Sequence, residues 1–140
     1  LAVLRATAAT TPSPFGGFLD DDAVFQRDLG ELEADVASCE HFEKLAISGH
    51  PVVDDPAYPS VSKVISSELI QRIAVLMTRV VGLDGLPDQR EALQVGSDSE
   101  ALGDDLSLLA TPFYLNSRAT TIYAGTNEVQ RDLIARSLRA

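Results

Sequence analysis

The chain has 140 residues, 45 % of them apolar, which is enough for one domain with a real core and too apolar for a disordered segment. Its formal net charge of −10 opposes binding to nucleic-acid backbones and anionic membranes, both of which need a basic surface. No apolar run reaches the roughly 20 residues of a membrane span, and the single cysteine, Cys39, can form neither an internal disulfide nor a cysteine metal cluster, which points to a cytoplasmic setting.

Residues 1–18 are rich in Ala, Thr, Pro and Gly. Residues 2–9 read as the end of a helix that starts earlier in a longer parent chain, because Leu1 is not Met and no leader pattern is visible. Pro12, Pro14, Gly16 and Gly17 make 10–17 a linker, so the bundle itself is expected over 19–140. Asp20, Asp21 and Asp22 suit a helix start. From there Phe25, Leu29, Leu32, Val36, Cys39, Phe42 and Ala46 recur at steps of three and four, one stripe of a 3.6-residue helix that Gly49 stops. Asp28, Glu31, Asp35 and Glu43 read as its solvated face.

Residues 50–59 hold three prolines and two aspartates and read as a loop. Ser60 can cap the next helix, whose stripe is Val61, Ile65, Leu69, Ile73, Leu76 and Val80, widened by Val64, Met77 and Val81. Gly82 ends it, and Gly85 and Pro87 confirm the break. The stretch 82–103 is polar, with a short helical piece expected near 89–95. Asp98, Glu100, Asp104 and Asp105 lack the spacing of a calcium loop. Helical character resumes over 106–123, with Pro112 tolerable at a first turn or a kink.

Gly125 breaks that segment, and Thr126 or Asn127 caps a last helix through Arg139 with the stripe Val129, Leu133, Ile134 and Leu138. Glu128 in its first turn and Arg136 and Arg139 in its last suit the helix dipole. No segment alternates with period two for long enough to be a strand. The predicted fold is therefore all-α, an antiparallel four-helix bundle, with Phe25, Leu29, Leu32, Val36, Ile65, Leu69, Ile73, Leu76, Val129 and Leu133 buried.

The most specific stretch, 121–136, reads Thr-Ile-Tyr-Ala-Gly-Thr-Asn-Glu-Val-Gln-Arg-Asp-Leu-Ile-Ala-Arg. Its residues alone describe a helix that ends at Gly125 and another that starts at Thr126. The turn between them offers amides and a hydroxyl to an anionic or hydrogen-bond-accepting ligand, or is simply a capped corner. The stretch resembles the C-terminal signature of acyl-CoA dehydrogenases, a Tyr and two variable or Gly positions followed by Thr-Asn-Glu-hydrophobic-Gln-Arg. The likeness is strong over 117–139 and extends more weakly through the helices at 23–48 and 61–81.

The resemblance implies the last domain of that family, a four-helix bundle that packs against flavin and acyl-CoA thioester beside an N-terminal helical domain and a middle β-domain. It implies FAD as cofactor, an acyl-CoA as substrate, a homo- or hetero-oligomer, and an electron-transfer protein as acceptor, with neither nucleic acid nor membrane as partner. In the family reaction a carboxylate of raised proton affinity removes the α-proton while the β-hydrogen leaves as hydride to the flavin. The resemblance carries Gly125, Thr126 and Glu128 over as flavin contacts.

Two departures stand out. One family position of the base, directly after the Tyr, is Ala124, whose methyl group cannot accept a proton, so no catalytic residue is assigned in this chain. The segment that in many members holds the flavin's adenosine diphosphate half corresponds to 78–85, which keeps Gly82 and Gly85 without the Gln or the double glycine of the family. Two functions follow as expectations. In the first, the chain is part of a flavin-dependent dehydrogenase and is inactive alone. In the second, it is a non-catalytic oligomerisation or interaction domain that has lost the site.

Overall fold

A computed structural model describes residues 1–139. It contains five α-helices, α1 (Ala2–Ala8), α2 (Ala23–Ile47), α3 (Tyr58–Val81), α4 (Asp105–Ser117) and α5 (Asn127–Ser137), and no strand among the described residues. The all-α expectation holds. α3 is the hub on which α1, α2, α4 and α5 all pack.

Each helix begins where its local chemistry allows. Asp22 caps α2 by accepting the amides of Val24 (2.8 Å) and Phe25 (3.0 Å). α2 then runs antiparallel to α3. Asp28 pairs with Arg79, Asp35 with Arg72, Cys39 lies 3.7 Å from Ser66, and the Phe42 ring stacks on Tyr58 with centroids 4.3 Å apart. Between these contacts Phe25, Leu29 and Leu32 of α2 bury against Leu69, Leu76 and Val80 of α3. Leu4 and Ala8 of α1 complete that core, while Arg5 pairs with Glu33 at 2.9 Å. Among the described residues, no helix is long and apolar enough to cross a membrane.

The opposite face of α3 carries small buried residues, Ser60, Ser67 and Ala74, spaced seven apart on the wheel. These let α4 and α5 approach closely. Ser60 therefore does not cap α3. The helix starts two residues earlier at Tyr58, with Pro in its first turn, and Ser60 is buried within it. Gly82 ends α3 at φ +55°.

The helical piece expected near 89–95 is absent. That stretch is a series of turns, and Gln89 braces the loop by exchanging hydrogen bonds with the Leu102 backbone at 2.6 and 3.2 Å. Asp104 caps α4 through the Ser107 amide at 2.8 Å. Pro112 stands inside α4 and not in its first turn, where it can offer no N–H to the turn before it.

The core differs from the stripes in three places. Val36 and Ile73 are half-buried, but Ile65 (43 % exposed), Val129 (52 %) and Leu133 (45 %) face solvent. Ile65 lies on the side of α3 that carries Glu68 and Arg72, at the edge of the core. α5 is docked by polar contacts of Asn127 and Arg131, and of its apolar stripe Val129, Leu133 and Leu138 are exposed while Ile134 is half-buried.

Candidate functional site

The signature corner begins where α4 runs out. A 3₁₀ turn, Arg118–Thr121, follows Ser117. The Gln71 side chain on α3 donates to the Ser117 carbonyl (3.1 Å) and to the Thr121 hydroxyl (3.2 Å). The Thr120 hydroxyl, also buried, donates to the carbonyls of Ser117 (2.7 Å) and Ser67 (3.2 Å). Carbonyls freed at the end of α4 thus find donors.

The chain then reverses through two successive left-handed residues, Ala124 at φ +54° and Gly125 at φ +87°. For Gly125 this costs little, and a Cβ there would meet the Gln130 side-chain nitrogen at 2.5 Å. For Ala124 it is a conformation that L-residues avoid by about 1–2 kcal/mol. Ile122, Tyr123, Ala124 and Gly125 are exposed, and Thr126 is half-buried. The N–H groups of Ala124, Gly125 and Thr126 have no hydrogen-bond acceptor among the described residues.

Of the two candidate caps, Thr126 takes the role. Its hydroxyl oxygen accepts the Val129 amide at 3.3 Å. Glu128 sits beside it, fully exposed. Its own backbone N–H, then the Thr126 hydroxyl, then Arg131 and Lys63 hold its carboxyl below the ordinary value.

Asn127 does something else. It is 2 % exposed, and its side chain is the bolt that fixes α5 to α3. Its Oδ1 accepts from Lys63 Nζ (2.5 Å) and Ser67 Oγ (3.1 Å), and its Nδ2 donates to Glu68 Oε1 (3.2 Å). Glu68 in turn pairs with Arg131 of α5. The sequence offered Asn127 only as a possible cap; a buried amide with three α3 partners has no signature in a one-dimensional pattern. The proposed contact residues Gly125, Thr126 and Glu128 are therefore together on one small, solvent-facing corner whose position on α3 is set by Asn127.

A second concavity lies elsewhere. A cleft of about 440 Å³ opens between α2, α3 and the Arg118 turn, and contains none of residues 122–128. Asp28, Glu31, Glu68, Arg72 and Arg79 line it, with Asp28 paired to Arg79 and Arg72 to Glu31, and with Arg27, Asp35 and Arg131 pairing to Asp28, Arg72 and Glu68 from outside the lining. Arg118 is different. Its guanidinium lies 4.6 Å over the Tyr114 ring and donates to the Gln71 carbonyl and Ser117 Oγ, both at 3.2 Å.

The segment 78–85 is closed upon itself. Arg79 is spent on Asp28 and lies over the Phe25 ring. A Cβ at Gly85 would meet Val81 at 2.5 Å, and the Gly85 carbonyl accepts the Thr111 hydroxyl at 2.5 Å. That glycine makes room for helix packing, and the family's Gln and double glycine are missing from the segment.

The profile of one protein family, described as acyl-CoA dehydrogenase, C-terminal domain, matches residues 3–139. The chain belongs to this family. Its all-helical fold is that of the acyl-CoA dehydrogenase C-terminal domain. No curated protein and no solved structure gives a significant match. Within the acyl-CoA dehydrogenase frame, the exposed corner at 122–128 is the stretch that carries the family signature. Lys63, Ser67, Glu68 and Arg118 are the supporting residues that sequence reasoning passed over. Each acts through a tertiary contact, so none could be found from spacing along the chain.

Proposed function

We propose that this domain is the C-terminal part of a flavin-dependent acyl-CoA dehydrogenase, and that its corner at Gly125, Thr126 and Glu128 closes one edge of the flavin site. The observation that carries the proposal is the corner itself: an exposed turn with three unengaged N–H groups and a hydroxyl, bolted to α3 by a buried asparagine. Such donors fit the hydrogen-bond-accepting edge of an isoalloxazine ring. FAD, when bound, supplies the hydride acceptor for α,β-desaturation of an acyl-CoA. This chain's own part is to donate hydrogen bonds, orient the ring edge and exclude water from it. Ala124 takes no proton, so that role falls to a carboxylate upstream in the parent chain, or to none where this domain belongs to the incomplete partner of a mixed assembly.

The fit stops at the ring. Residues 78–85 do not suit the adenosine diphosphate half of the cofactor, and no binding is assigned to them. The isolated 140-residue chain is accordingly expected neither to retain FAD nor to desaturate acyl-CoA. The division into 1–18 and a bundle over 19–140 forms part of the proposal, with Leu4 and Ala8 fastening the first segment to the second. A homo- or hetero-oligomer, an electron-accepting protein and a cytoplasmic setting complete it.

A second reading, a non-catalytic oligomerisation domain, draws its support from Ala124 and from the exposed apolar side chains of α5. Thr126→Val in a complete enzyme carrying this domain separates the two. Loss of flavin content, or flavin reduction slowed about 2- to 10-fold for a hydrogen bond worth about 0.5–1.5 kcal/mol, supports the flavin role. Unchanged flavin content and reduction rate reject it.

A further inference from the structure

We propose that the cleft between α2, α3 and the Arg118 turn is a binding site for a single anionic group, a carboxylate or phosphate, with Arg118 as its recognition residue. Three observations converge on this. The first is charge. Three arginines, Arg72, Arg79 and Arg118, line the cleft beside three carboxylates, Asp28, Glu31 and Glu68. Arg118 is the one arginine of the lining without a carboxylate within 4.0 Å among the described residues, so its charge has no partner of opposite sign.

The second is an orphan donor. Arg118 Nε is buried and has no hydrogen-bond partner among the described residues, although Nη2 is doubly engaged on the Gln71 carbonyl and Ser117 Oγ. A charged donor removed from water without an acceptor is unfavourable, and a guanidinium matches a carboxylate or phosphate oxygen better than any neutral acceptor. The third is space. The cleft that Arg118 lines holds about 440 Å³, and the Tyr114 ring backs the guanidinium at 4.6 Å. An oxyanion entering the cleft would take the Nε–H after a small rotation of the guanidinium. The exposed Val75 on the cleft wall adds a short apolar contact, which favours a carboxylate carried on a hydrocarbon over a bare ion.

The test uses the full 140-residue chain and the Arg118 Nε–H resonance, followed by ¹H–¹⁵N NMR while butyrate or inorganic phosphate is added at constant ionic strength. Saturable movement of that resonance by either anion is expected. Butyrate binding more tightly than acetate identifies a carboxylate on a hydrocarbon, and phosphate alone acting identifies a phosphate group. Arg118→Gln should weaken the binding about tenfold, as removal of one charged hydrogen bond implies, with Arg118→Lys intermediate and circular dichroism confirming that both fold. No saturable movement in the wild-type chain overturns the proposal without recourse to any variant. So does movement of the same resonance on Glu68→Gln in the absence of anion, because Glu68 of the cleft would then be the missing acceptor.

Discussion

Asn127→Ala is the most informative single change in the domain. It removes three hydrogen bonds, to Lys63, Ser67 and Glu68, from a residue 2 % exposed. Lys63 and Glu68 are half-buried and can recover water, and the Ser67 hydroxyl keeps the Val64 carbonyl at 3.1 Å as an acceptor. The lost neutral bond to Ser67 is worth about 0.5–1.5 kcal/mol, and the two bonds to charged partners add about 1 kcal/mol each after rehydration. The sum is about 2.5–3.5 kcal/mol, which corresponds to a fall in Tm on the order of 10 °C for a domain of this size.

Asn127→Asp sharpens the reasoning, because the new carboxylate keeps the Lys63 and Ser67 bonds but turns an oxygen on Glu68. It should destabilise at neutral pH, and Glu68→Gln in the same chain should recover much of the loss, a coupling readable in a double-mutant cycle. Thermal and urea unfolding of the wild type, Asn127→Ala and the three variants of the cycle decide the matter. A cost below about 1 kcal/mol for Asn127→Ala, the level of an ordinary surface change, or no coupling to Glu68, would refute the idea that a buried polar bolt holds α5.

Three further outcomes follow from the same structure. Ala124→Gly should stabilise the chain by about 1 kcal/mol, the reverse of the usual sign for this substitution, because Ala124 stands at φ +54°; denaturant unfolding checks it. Leu69→Ala should cost about 2–5 kcal/mol as a core truncation, whereas Leu133→Ala should change monomer stability little and reduce self-association, measured by sedimentation at several concentrations. Glu128, with its carboxyl held low, contributes stability that is present above the ordinary glutamate range and is lost as pH falls through its lowered value. Carbonyl NMR should report a low pKa that Thr126→Val moves upward.

Local chemistry was legible from the residues. Asp22, Gly82 and Thr126 act within a few positions of themselves, so caps and stops could be placed on the chain. The core stripe of α2 and the Leu69, Leu76 and Val80 side of α3 were legible for the same reason, since one dominant partner face imposes one periodicity. Val129 and Leu133 misled because periodicity marks an apolar face without naming its partner, and α5 turns its polar end toward α3. Ser60 misled because Pro59 had already opened the helix. At the site, the order Tyr-Ala-Gly-Thr announced a capped corner, but the roles of Lys63, Glu68 and Arg118 depend on residues 47 to 64 positions apart being brought together.

The role of the corner can be read at its own backbone. In a complete enzyme carrying this domain, hydrogen exchange of the Gly125 and Thr126 amides should be fast without flavin, since neither has an acceptor among the described residues. Addition of FAD should slow both selectively, with the amides of α2 unchanged. Exchange at Gly125 and Thr126 that stays equally fast in the flavin-loaded enzyme would contradict the assignment of this corner to the flavin site.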